Sequence, residues 1–189
     1  MTFLSEPAGA GDLYSADEAE LGYVMNASRV WGHNPALMTA LFDQLSTIVK
    51  TYGLTMRQRG ILVAACASSF GDSYCSLAWG NKLASISSPE VAAAVLRGTD
   101  EGLSSSEQAL ATWARKTTQN PNKTTQADID TLRAAGFTDP QILGITLFVA
   151  LRVAFSTVND ALGAQPDREL RTTTPPIVLS AVTYGRPTA

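Results

Sequence analysis

Histidine, cysteine and charge are all scarce in this 189-residue chain. One histidine and two cysteines cannot assemble a four-ligand cysteine/histidine zinc site, so a structural zinc finger is excluded and neither a metal nor a cofactor is expected. Charged residues make up 16%, below the roughly 25% of ordinary soluble domains, while apolar residues reach 45%. Such a shortage predicts a second buried surface, with a homo-oligomer as the expected assembly. No basic excess is present either: the formal net charge is −3, which argues against nucleic acid or an anionic membrane as partner. The longest apolar run, from Ile142 to Phe155, is too short to span a bilayer and is interrupted by Arg152; it is expected to be a buried helix. The first residues lack a basic segment followed by an apolar stretch, so a cytoplasmic location is expected.

What is present is helical punctuation. Ser15/Glu18, Thr55/Gln58, Ser87/Glu90, Ser104/Glu107 and Thr138/Gln141 each have the spacing of a reciprocal helix cap. Behind them, periodicity near 3.6 predicts helices over about 16–31, 35–52, 56–68, 72–85, 88–97, 105–119, 125–135 and 139–162. Gly53, Gly98, Gly102, Asn120-Pro121 and Gly136 supply stops, and no alternating β pattern interrupts the series. The reading is an all-α bundle of about eight helices forming one domain over 1–189. Residues 1–14 are expected to be loose, and 164–189, rich in proline but carrying Ile177, Val178, Leu179, Val182 and Tyr184, to form an extended arm packed on the body or on a neighbour.

The chemically informative stretch runs from Leu54 to Trp79. An apolar helix ends at Phe70-Gly71, Asp72 falls where an N-cap belongs, and Cys75 sits in the next helix's first turn, where the macrodipole favours a thiolate. At 100° per residue Asp72, Cys75 and Trp79 share a face. A packing role for Cys75 stands beside the catalytic one, because free cysteines are commonly buried and Asp72 would hold the thiol protonated. Cys66, in an Ala-Ala-Cys-Ala run, reads as core.

This stretch resembles the alkylhydroperoxidase D and carboxymuconolactone decarboxylase superfamily, whose signature is Glu-x11-Cys-x2-Cys-x3-His. Arg29-Val-Trp-Gly-His-Asn-Pro-Ala-Leu37, Leu54-Thr-Met-Arg-Gln-Arg59, Leu103-Ser-Ser-Ser-Glu107 and Gly136-Phe-Thr-Asp-Pro-Gln-Ile142 are similar to further family segments, so the resemblance covers about 25–162. It implies the family's helical fold and assembly as a trimer or hexamer. The catalytic pattern departs from it: Gly60 stands at the glutamate, Asp72 at the first cysteine, Cys75 at the second and Trp79 at the histidine. A two-cysteine redox cycle therefore lacks its groups, and the expectation is a decarboxylase-like enzyme acting on a small organic acid or polyketide-like molecule by non-redox proton transfer.

Two alternatives remain open: a single-cysteine peroxidase using Cys75, and a catalytically silent binding or assembly module. Candidate catalytic residues are Cys75, Asp72 and His33, the sole imidazole. Candidate substrate-binding residues are Trp79, Arg57, Arg59, Arg152 and Asn159. Arg57 and Arg59 could hold a carboxylate or simply be solvated, whereas Arg152, Ser156 and Asn159 follow i, i+4, i+7 spacing and form one polar stripe.

Overall fold

The structure, a computed structural model, describes residues 2–188. Among these residues the secondary structure is entirely helical: α1 (Gly11–Leu21), α2 (Asn26–Trp31), α3 (Pro35–Tyr52), α4 (Met56–Phe70), α5 (Ser73–Ile86), α6 (Pro89–Arg97), α7 (Ser105–Gln119), a 3-10 turn (Pro121–Lys123), α8 (Gln126–Ala134), α9 (Asp139–Ala161), α10 (Glu169–Thr173) and α11 (Pro176–Leu179). Two of the expected caps close fully. Thr55 accepts the Gln58 N–H at 3.2 Å and returns its own to Gln58 Oε1 at 2.9 Å, and Ser104 and Glu107 do the same at the start of α7.

Three boundaries differ from the sequence reading. The helix expected over 16–31 is two, because Gly22 adopts φ +82° and ends α1 after Leu21; α1 begins at Gly11, so Ser15 lies inside it and caps nothing. Ser88, not Ser87, caps α6 by accepting the Val91 N–H at 3.2 Å, with Pro89 following where its missing N–H costs no bond. Ser87 instead donates back to Leu83 O at the end of α5. The tail is not wholly extended, since α10 and α11 form within it.

Helix α4 occupies the centre and packs against α5, α6, α7 and α9. Its residues from Gly60 to Ala67 are buried all round, which explains why this segment is uniformly small and apolar. Helix α9 is long and apolar enough to cross a membrane by length and composition; in the bundle it packs against α3, α4 and α7 and buries Arg152, Ser156 and Asn159 inward.

The two ends of the chain are tied to this body. The Phe3 N–H donates to Leu162 O at 2.9 Å. Val178 of α11 is fully buried against α5 and α6, while Arg97 Nη2 donates to Ile177 O at 3.3 Å and Ser180 Oγ at 3.2 Å. Tyr184 donates to Ser76 Oγ at 3.0 Å, and Ser73 donates to Arg186 O at 2.6 Å. Gly185, at φ +75°, presses so closely on Gly71 O and Ser73 N that a Cβ would lie 2.5 and 2.7 Å from them. The C-terminal segment therefore fastens the turn that opens α5.

Candidate active site

The site begins at that turn. Gly71 takes φ +88°, a left-handed conformation open to glycine, and stops α4. Asp72 then caps α5: its Oδ1 accepts the Cys75 N–H at 2.9 Å and its Oδ2 accepts the Ser156 O–H at 2.5 Å from α9. One fully buried carboxylate thus locks two helices together and fixes Cys75 at the first turn.

Arg152 reaches the same place from α9. It is 3% exposed, and its Nη2 lies 3.4 Å from Cys75 Sγ. The guanidinium carbon stands 5.0 Å from the Phe155 ring centre and 5.5 Å from that of Trp79. Its Nε has no hydrogen-bond partner, and Arg152 forms no ion pair among the described residues. A buried charge normally requires a counterion; here aromatic quadrupoles and a thiol hold it instead, which leaves its charge available.

These groups open onto a cavity of about 480 Å³, within the range of small-molecule sites. Its wall includes Leu21 from α1, Met38 and Phe42 from α3, Tyr74, Cys75 and Trp79 from α5, Arg152 and Phe155 from α9, and Asp167 and Leu170 from the C-terminal segment. Phe155 is itself held by Trp31, stacked at 5.4 Å, and by Phe42, edge-on at 5.3 Å.

Electrostatically Cys75, Tyr74 and Asp167 share one property: burial favours their neutral forms. Burial, reinforced by the Asp72 carboxylate and only partly opposed by Arg152, pushes the Cys75 thiol well above its ordinary range. Burial followed by Asp167 raises the Tyr74 phenol. Asp167 is also raised by burial, although Tyr74 donates to its Oδ2 at 2.5 Å and the Asn26 N–H donates to Oδ1 at 2.8 Å.

Of the residues singled out from the sequence, Asp72, Cys75, Trp79 and Arg152 converge here. Asn159 lies one step behind: its Oδ1 accepts the Trp31 indole N–H at 2.9 Å, so it supports the aromatic wall without lining the cavity. His33 is elsewhere, exposed, with Nε2 3.0 Å from Ser5 O. Arg57 is paired with Glu107 at 2.6 Å, and Arg59 lines no part of this cavity. At Gly60 a Cβ would meet Leu83 Cδ1 at 3.1 Å, so the position matching the family's glutamate is closed by core packing. Tyr74 and Asp167 escaped the sequence reading. Tyr74 adjoins Cys75 and could have been found from that adjacency; Asp167 follows Gln165-Pro166 in a segment with no periodicity. Cys66 is buried with its sulfur accepting from Thr118 Oγ1, and both cysteines are free. No group of three or more potential metal ligands converges among the described residues.

The arrangement of helices is that of the alkylhydroperoxidase D core. A peroxidase-related protein from Ralstonia eutropha JMP134 with that core superposes with TM-score 0.78 at 22% identity, over 89% of this chain and 94% of its own. Another peroxidase-related protein, from Silicibacter sp. TM1040, gives 0.76 at 20% identity over 89% and 90%. The debrominase Bmp8, as a cysteine-to-alanine variant in complex with 2,3,4-tribromopyrrole, gives 0.70 at 17% identity over 90% and 95%. No protein-family model and no curated protein matches the sequence. At these identities the likeness establishes the fold; the chemistry has to be argued from the cavity.

Proposed function

We propose that the protein is an enzyme that binds a small organic acid in this cavity and acts on it by non-redox proton transfer, as in a decarboxylation or isomerisation. The observation that carries this reading is Arg152: a buried guanidinium with no carboxylate partner among the described residues and a free Nε, at the wall of an apolar cavity. A ligand carboxylate supplies the counterion that the protein omits, and low dielectric strengthens that pairing. Trp79 and Phe155 keep the guanidinium in place without competing for it. Cys75, held protonated beside Arg152, is not a resting nucleophile. The absence of a second cysteine at Asp72 supports chemistry without a disulfide cycle.

The test is a screen of the purified protein against carboxylated lactones, unsaturated acids and aromatic acids, reading binding and turnover together. Saturable binding that Arg152→Met abolishes, with product formed from at least one acid, is the expected result; neither binding nor turnover across the panel would sink the reading.

A second reading keeps thiol chemistry. It is favoured by the 3.4 Å contact of Arg152 with Cys75 Sγ, which would stabilise a thiolate once formed, and by the likeness to a debrominase crystallised as a cysteine variant. Burial and Asp72 oppose it in the free protein. Alkylation by iodoacetamide at neutral pH separates the two: the acid/base reading expects Cys75 to react at least ~100-fold more slowly than a free thiol, and rapid modification favours the thiol reading. We further propose a homo-oligomer, a trimer or hexamer, in the cytoplasm; exposed Leu143 and Leu147 on α9 and Leu37 on α3 support assembly, and mass in solution tests it.

A further inference from the structure

We propose that Asp167, delivered by the C-terminal segment and held by Tyr74, is a catalytic residue of this cavity, taking a proton from a bound conjugated acid and returning it. This inference rests on the reading of the cavity as an acid-binding site. Three observations lead to it. Asp167 is 3% exposed yet lines the cavity, as does Tyr74 at 5%. Its carboxylate accepts two hydrogen bonds, from the Asn26 N–H and the Tyr74 phenol, which leaves lone-pair positions unused on an ion that accepts about four. No lysine or arginine pairs with it among the described residues. Buried carboxylates without a cation are costly, and this one shares its cavity wall with the buried Arg152 guanidinium, which lacks a counterion in turn. The pair Arg152 and Asp167 thus supplies an anion anchor and a proton acceptor to a single ligand.

The step balances without an oxidant or reductant. The Asp167 carboxylate forms an O–H bond with an acidic hydrogen on a ligand carbon. The electron pair of the broken C–H bond moves into the conjugated carbonyl, and the resulting enolate lies in the field of Arg152. Reversal at the same or a conjugated carbon returns the proton and regenerates the carboxylate. Burial raises Asp167 above the ordinary carboxylate range, which makes the carboxylate a stronger proton acceptor than a solvated one. Tyr74 acts through Asp167 as a positioning residue: its phenol donates to Oδ2 and moderates that rise. The other titratable and charged groups around Asp167 are Glu20 from α1, Tyr23 from the α1–α2 connection, Arg29 from α2, Cys75 and Arg152 in the shared cavity lining, and Arg168 and Glu169 beside it in the chain; of these Glu169 raises it further.

Phenylpyruvate is a suitable probe, since it joins an anionic end, an aromatic body and an exchangeable benzylic C–H. Benzoate serves as the non-exchanging binding control. The full-length protein is expected to accelerate deuterium uptake at the benzylic carbon in heavy water, followed by proton NMR. Asp167→Asn retains an oxygen acceptor for the Asn26 N–H; checked as folded by thermal melting and as still binding benzoate, it should lose roughly 100-fold in exchange rate. Tyr74→Phe should move the acidic limb of the exchange profile to higher pH, which a purely structural tyrosine would not do. Exchange that is absent in the wild type, or undiminished in folded Asp167→Asn, overturns the proposal. Should benzoate binding require Arg152 while exchange ignores Asp167, the acid-binding reading survives and only this inference fails; should benzoate and phenylpyruvate bind equally well to Arg152→Met, the acid-binding reading fails first.

Discussion

Two of the cavity's walls differ in origin. One is built by α5 and α9 inside the helical core, where Asp72 fixes Cys75 and Ser156 and where Arg152 lies between Trp79 and Phe155. The other is built by the segment from Gln165 to Thr173, which crosses the open side of the bundle and brings Asp167 to Tyr74. The first brings Arg152 to the cavity lining and the second Asp167. The cation comes from a helix that packs the central core, the acid from a late segment that packs against α5 through Leu170 and Tyr74.

Arg152→Met is the largest perturbation of the core wall. Affinity for benzoate should fall by roughly 100-fold, since removing one side of a desolvated charge pair costs several kcal/mol, while stability of the ligand-free protein should hold or rise because an unpaired buried charge is gone. Isothermal titration and thermal melting read the two effects; an Arg152→Met variant that melts far lower without ligand would mean that Arg152 is structural.

Gly185→Ala attacks the C-terminal fastening of the turn that opens α5. A methyl group at φ +75° would strain the backbone and meet Gly71 O, so a loss of about 2 kcal/mol is expected in denaturant unfolding. Because Gly185 lies outside the cavity lining, benzoate affinity should change less than in Arg152→Met.

Asp72→Ala removes the cap of α5 and leaves the buried Ser156 hydroxyl unpaired. About 1–2 kcal/mol of stability should go, and Cys75 should become more reactive toward iodoacetamide because the nearest carboxylate that raises it has been removed. Unchanged alkylation would show that burial alone keeps the thiol protonated.

The smallest effect is a pH slope. Asp160, in the last turn of α9, is raised from 3.8 to about 6, by burial first and by Asp72 second, against the opposing pull of Arg186. Because the folded chain then binds this proton more tightly than the unfolded one, its contribution to stability is lost as pH rises through that window. Asp160→Asn should flatten the difference in melting temperature across it, and a persisting slope in the variant would assign the effect to another carboxyl.

Much of this was legible in the residues. Thr55, Ser104 and Asp72 announced their caps because a side chain three positions from its partner acts within one turn, and Gly53, Gly71 and Gly98 marked stops for the same local reason. Gly22 shows the limit: a continuing apolar period hid a break that a single left-handed residue imposes. The site divided along the same line. Asp72, Cys75 and Trp79 shared a helical face in the sequence and share it in space. His33, Arg57 and Arg59 are candidates by chemical type, and type does not say where a side chain goes: Arg57 pairs with Glu107 fifty residues away, and His33 turns to Ser5.

By itself, then, the sequence determined the helices, the capped turn before Cys75, the absence of a second redox thiol and the polar stripe on α9. These depend on interactions within a few residues. Only the tertiary structure decided that the stripe meets the turn at Asp72 and Ser156, that Arg152 has no counterion among the described residues, and that Asp167 joins Tyr74 across 93 positions of chain. Such contacts are fixed by how the apolar faces of distant helices pack, and one chain's local pattern carries no record of that geometry.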